Sequence, residues 1–378
     1  MDWKIPLADL DINQEEEAAL LAVLRRRWLT MGAETEAFEA EFAAFTAAEH
    51  AVAVTNCTVA LHLACLVLDL GPGDEVILPS LTFVATANAV RYTGATVVFA
   101  DVISEQDFSI SPQDIEAKIS PRTKAIIVVH YAGYACDMPR ILALAEKHDL
   151  AVIEDVAHAP GASLNGRRLG TWGEVGCFSF FSNKNMTTGE GGMLTTNDAQ
   201  IAARLRLLRS HGMTTLTWDR HKGHAWSYDV VAPGYNYRLD EMRAALGRVQ
   251  LRKLPANNAR RQELSDCYEE LLSQMAPEIT VPFSQHPGQS AYHIRPILLP
   301  AHIDRETFMA NLKQRGIQTS IHYPPIHHFT EYRQAAAHYH LPVTDEIAAR
   351  EVTLPLFPQM DTTAVNEVVT AVRFALLD

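Results

Sequence analysis

The sequence has no run of about 20 uninterrupted apolar residues, so nothing in it reads as a membrane-spanning helix. It lacks any C-x-x-C pair: its five cysteines, at 57, 65, 136, 177 and 267, are odd in number and widely spaced. A disulfide framework or a zinc cluster is therefore not expected, and Cys65 and Cys177 read as core thiols. It also lacks a basic excess. Lys and Arg total 32 against 45 Asp and Glu, a net charge of −13, which argues against nucleic acid as a partner. A small anionic ligand remains compatible, because a pocket can be positive inside an acidic protein. Met1-Asp2-Trp3-Lys4-Ile5-Pro6 has neither the apolar core nor the basic flank of a signal peptide, so a cytoplasmic protein is expected. Internal repeats, low-complexity segments and a helix-turn-helix extension are absent as well.

What is present is ordinary globular composition, 48% hydrophobic and 20% charged, in 378 residues, enough for a large and a smaller domain. Two helical patterns, 14–27 and 34–48, precede a region of β/α alternation. Strand-like runs at 51–54, 75–78, 95–102, 124–130, 151–155 and 175–181 alternate with helical runs at 58–70, 111–119 and 138–148. This order predicts an α/β fold with a mostly parallel sheet flanked by helices on both faces. In such sheets sites form at the carboxyl ends of strands, which groups His130, Asp155 and the segment after Phe181. Helical runs at 198–210, 239–254 and 257–274 follow. Beyond Pro277, a strand near 292–299 and helices near 304–315 and 362–377 predict a compact α+β domain. The expected division is 1–255 for the large domain and 256–378 for the small one.

Three local patterns carry chemistry. In Val54-Thr55-Asn56-Cys57-Thr58 a strand runs into polar residues that can cap a helix. Such a start also exposes N–H groups and the positive end of the helix dipole, an anion site; simple capping is the other reading. In Val152-Ile153-Glu154-Asp155-Val156-Ala157-His158, Asp155 stands where an apolar strand leaves the sheet. A carboxylate there can keep a pyridinium nitrogen protonated, or it can cap the next turn. His158 reads as a core histidine or as a donor to a ring hydroxyl. In Phe178-Ser179-Phe180-Phe181-Ser182-Asn183-Lys184, ahead of Gly189-Glu190-Gly191-Gly192, one lysine follows an apolar strand. A desolvated lysine can attack an aldehyde as the neutral amine. Ser179 can donate to a phosphate. The glycines lack G-x-G-x-x-G spacing and follow the wrong element for a dinucleotide loop.

Taken together with Gly234-Tyr235-Asn236-Tyr237-Arg238, Trp28-Leu29-Thr30-Met31-Gly32, Pro79-Ser80-Leu81-Thr82-Phe83, His322-Tyr323-Pro324-Pro325-Ile326-His327 and Leu354-Pro355-Leu356-Phe357-Pro358, these patterns resemble the DegT/StrS family of sugar aminotransferases. The likeness runs across nearly the whole chain. It implies the fold type I architecture of aspartate aminotransferase, with pyridoxal 5'-phosphate (PLP) bound covalently to Lys184 as an internal aldimine. It further implies Asp155 at the pyridine nitrogen, His158 beside the ring and its 3-hydroxyl, and Phe83 stacked on the ring face. Cys57, Thr58 and Ser179 would anchor the phosphate; the family usually has a small residue at the Cys57 position and contacts the phosphate there through backbone N–H. Asn236 would reach the phosphate from the neighbouring subunit of a homodimer. The implied reaction moves an amino group from a donor, glutamate, to a nucleotide-linked keto-sugar. A ketocyclitol (inosose) acceptor is the alternative. A sugar dehydratase would be another, but relatives of that kind carry histidine in place of the lysine.

On the substrate side, Tyr323, His327, His322 and Arg238 are candidates, the first three on a loop stiffened by Pro324-Pro325. No metal is expected at His322, His327 and His328, which have no carboxylate at ligand spacing in sequence. The stretch from Ser210 to Tyr228, with Trp218, Arg220, His221, Lys222, His224 and Trp226, suits either a nucleotide diphosphate or a dimer contact.

Overall fold

The structure is a computed structural model and describes residues 3–215, 218, 223, 227–337 and 339–377. A seven-stranded sheet forms its centre. From edge to edge it runs His50–Val54, Gly192–Thr196, Val175–Ser179, Ala151–Asp155, Thr123–Val129, Glu75–Pro79 and Thr96–Ala100. Neighbouring strands pair in parallel except around Gly192–Thr196, which is antiparallel to both of its neighbours. The Val175–Ser179, Glu75–Pro79 and Gly192–Thr196 strands are buried at every residue. Continuous apolar runs therefore replace alternation, as in a sheet covered on both faces. Two apolar layers cover it. One contains Phe38, Phe42, Phe178 and Phe180; the other contains Leu61, Leu63, Phe99 and Ile127.

Most elements fall where the sequence places them: Gln14–Arg26, Ala33–Thr46, Met138–His148, Ala199–Arg209, Arg305–Gln314 and Thr362–Leu377 are helices. Two features depart from expectation. The strand Gly192–Thr196 carries no alternating pattern, because it is short and buried on both faces. The expected break between 254 and 257 is absent: Glu241–Met275 is one helix of 35 residues that continues through Pro255. An interior proline costs about 3 kcal/mol. Here the helix is pinned on both sides of it, by Leu251 and Leu254 in the large core and by Leu264, Tyr268 and Leu272 in a separate one.

That second core joins the helix to the pair of strands Arg295–Leu298 and Glu351–Leu354 and to the last helix. Ile5, at the chain's start, packs there too, its backbone bridging Ile317. The helix Pro342–Arg350 is tied back to the large half, since Asp101 accepts from Val343 N–H, Thr344 N–H and the Thr344 hydroxyl. None of the described helices is long and apolar enough to cross a membrane.

Candidate active site

At the carboxyl ends of the parallel strands a cavity of about 450 Å³ opens. Asn56, Cys57 and Thr58 line one side of it, where the chain leaves its strand and starts the helix Cys57–Val67. Asn56 caps that helix, its side chain accepting from Val59 N–H at 3.0 Å. The capping reading of this turn holds, and the capped helix start also faces the cavity. Gly192 packs against it. A Cβ at that position would lie 2.6 Å from the Asn56 carbonyl carbon and 2.9 Å from Cys57 N. Burial pushes the Cys57 thiol up, reinforced by Asp155, so it stays uncharged and leaves only its backbone N–H to an anion.

Asp155 ends its strand inside the cavity and is buried. It accepts from the Thr86 hydroxyl at 2.9 Å and from Ala157 N–H at 3.1 Å. Desolvation raises its carboxyl above the usual range, and those two donors and the nearby Lys184 oppose the rise. Such a group favours a protonated partner that would share its proton. Lys184 is half-buried in the same cavity. Burial lowers its amine to about 8, and Asp155 and Cys57 resist that shift. The neutral amine, the form that attacks a carbonyl, is thus accessible near neutral pH.

His158 is buried and held neutral by desolvation, then by the charge of Lys184. Its Nδ1 accepts from Ala132 N–H at 3.3 Å, so the proton sits on Nε2, which donates to the Tyr323 hydroxyl oxygen at 2.8 Å. The Tyr323 oxygen therefore accepts from His158 and does not need to donate its O–H there. Its loop is pinned above the cavity: Tyr131 donates to the His322 carbonyl, and Ile326 N–H donates to Ser80 O at 3.0 Å. His322 lines the cavity and is lowered to about 3 by burial. Phe83 is 57% exposed with its ring 6.0 Å from that of Tyr323, and Ser179 and Phe181 also line the wall.

Nine of the residues expected from sequence thus line one cavity: Lys184, Asp155, His158, Phe83, Cys57, Thr58, Ser179, His322 and Tyr323. His327, Asn236 and Arg238 do not line it. His327 is buried with Nδ1 2.7 Å from Ser80 Oγ and Nε2 3.1 Å from Asp345. Asp345 comes from a distant helix and also approaches His328 at 3.2 Å, so it is the carboxylate that the local sequence lacks. Arg238 bridges Val54 and Asn236 bridges Ser210 through their backbones. His130 follows directly on the strand Thr123–Val129, but its ring turns away to Glu154, 3.0 Å distant. Trp218 packs on Trp28 with ring centroids 5.0 Å apart; Arg220, His221, Lys222, His224 and Trp226 lie outside the described residues.

Sequence reasoning missed Thr86, which sits on the short helix Ala85–Tyr92, and His293, whose Nε2 lies 3.5 Å from Lys184 Nζ. The only available signal for either was its polarity inside an apolar stretch.

Comparison with known proteins agrees with this geometry. The model of the DegT/DnrJ/EryC1/StrS aminotransferase family matches residues 10–373. The chain belongs to that family. It is 40% identical to the spore coat polysaccharide biosynthesis protein SpsC of Bacillus subtilis over 99% of this chain and 96% of that one. Among solved structures it is similar to DesV of S. venezuelae, at 36% identity, TM-score 0.90 and 98% coverage of each chain. It is similar also to the PLP form of the putative sugar aminotransferase Spr1654 of Streptococcus pneumoniae, at 27% identity and TM-score 0.91, covering 99% of this chain and 98% of that one. This member is accordingly an aminotransferase with the fold type I architecture of a PLP-dependent family.

Proposed function

We propose that the protein transfers an amino group from glutamate to a nucleotide-linked keto-sugar, using PLP held covalently by Lys184. One observation carries the reading: Lys184, the buried Asp155 and the start of the helix Cys57–Val67 share a single cavity. Its residues fit the cofactor's three chemical needs. An amine lowered to about 8 suits an aldehyde, a desolvated carboxyl suits a protonated ring nitrogen, and a helix N-terminus with Thr58 and Ser179 suits a phosphate. Phe83 offers a ring face at the same wall.

Bound there, PLP would supply an electron sink for breaking bonds at the amino-bearing carbon. The chain's residues do the rest. Asp155 would hold the ring nitrogen's proton, and the free amine of Lys184 would move a proton at the substrate carbon. Tyr323, oriented by His158, offers its O–H to a substrate oxygen. The sugar acceptor is supported by this hydroxyl-seeking wall and by the names of two relatives, a polysaccharide biosynthesis protein and a putative sugar aminotransferase. Arg238 is the candidate for the diphosphate, its backbone bridging Val54 just ahead of Asn56. Because Asn236 lies outside its own chain's cavity, the reading has it act in a partner's site within a homodimer.

The test is the visible absorption of the protein with PLP, before and after glutamate. A band that bleaches as 2-oxoglutarate forms supports the donor half. Amination of a keto-sugar nucleotide, with inososes left untouched, supports the acceptor. Amination of inososes alone overturns it.

A further inference from the structure

Beside Lys184 stands a histidine with its protonation fixed by its neighbours. Asn185 Nδ2 donates to Asn258 Oδ1 at 2.8 Å and to Ala291 O at 2.6 Å, both acceptors. Asn258 is oriented in turn, since its own Nδ2 donates to Pro160 O at 2.9 Å. The Asn185 amide can therefore face only one way, with Oδ1 toward His293 Nδ1 at 2.8 Å. A carbonyl oxygen only accepts, so the imidazole proton sits on Nδ1. Nε2 is left as a bare lone pair 3.5 Å from Lys184 Nζ. His293 is buried, and its desolvation first, then the positive charges of Lys184 and Arg261, holds it neutral. His158, its ring centroid 4.4 Å away, has no lone pair to give, because Nδ1 and Nε2 are committed to Ala132 and Tyr323.

We propose that His293 is a positioning residue for Lys184: its Nε2 accepts one N–H of the amine and so aims the amine's lone pair into the cavity. The backbone that carries His293 is itself fixed, its N–H donating to Ala132 O at 2.9 Å and its carbonyl accepting from Arg261 at 3.1 Å. An amine that must first meet a carbonyl and later take a proton from carbon has to keep one orientation while free, and a neutral acceptor provides this without adding charge. The inference rests on the proposed role of Lys184 as the reacting amine.

The experiment follows cofactor-free protein as it takes up PLP over a pH series, with borohydride quenching and peptide mass spectrometry to count modification at Lys184. The pH midpoint reports the amine, which faces Asp155, Cys57, His158, His322 and His293. His293→Leu keeps the site dry but removes the acceptor of the ammonium form. The midpoint should fall by about 0.5 to 1 unit below that of the wild type, and His293→Gln, which returns an acceptor at the Nε2 position, should restore it. A purely structural role would instead loosen the wall, admit water and raise the midpoint. A rise, no change, or a fall that glutamine does not reverse overturns the proposal. If His293→Leu does not fold, His293→Met is measured in its place. Wild-type protein that never captures PLP at Lys184 would mean that the reading of Lys184 had failed, an outcome distinct from variants that merely match the wild type.

Discussion

At the scale of single residues, burial decides the chemistry. Lys184 in the fold titrates near 8 against an ordinary 10.5. Between those values the unfolded chain binds more protons than the folded one, so the Lys184 contribution to stability rises with pH across that window. Thermal melts of cofactor-free wild type and Lys184→Met should therefore converge as pH climbs from about 8 to about 10.5, the variant being the more stable at the low end. Asp155→Ala should still take up the cofactor, yet turn over roughly 100-fold or more slowly, because the ring nitrogen loses the group that keeps it protonated. Near-normal turnover rejects the role. Tyr323→Phe removes one O–H and should lower catalytic efficiency with the acceptor about 10-fold while sparing the reaction with glutamate, which steady-state kinetics can separate. Lys184, Asp155 and Ser179 were legible in the sequence because each is polar where an apolar strand ends. Thr86 and His293 were not. Their roles depend on partners 69 and 109 residues away, and no local pattern reports those partners.

At the scale of elements, the approach of Gly192 to the start of the helix Cys57–Val67 is the tightest constraint on the phosphate end of the site. Gly192→Ala would place a methyl group 2.6 Å from backbone, so either the strand or the helix start must shift. The expected outcome is a stability loss of about 1–3 kcal/mol and weaker PLP binding, measured by unfolding and by cofactor titration. Unchanged affinity would show that this helix start does not hold the phosphate. The strand Gly192–Thr196 itself escaped sequence reading. A five-residue segment buried on both faces has neither alternation nor length to separate it from a loop. The long helix through Pro255 escaped for the opposite reason. Proline acts on one turn, while the packing on either side extends over several.

At the scale of the whole molecule, the parallel sheet was legible because β/α alternation dictates it and the strand ends then converge on one cavity. Long-range additions were not, such as Asp345 reaching His327 and His328, or Ile5 packing onto the C-terminal half. The proposed shared site makes a subunit-level prediction. Lys184→Ala and Asn236→Ala proteins, each impaired alone, should recover activity when mixed and re-assembled, since one of the two sites in a mixed dimer is then intact. No recovery would place Asn236 in its own chain's site or outside catalysis.

The central claim is that Lys184 is the amine that holds the cofactor. It is tested most directly by incubating the protein with PLP, reducing with borohydride and mapping the added mass by peptide mass spectrometry. The expected result is a single modified peptide carrying Lys184, lost in Lys184→Ala. Modification at other lysines with Lys184 untouched would contradict the claim.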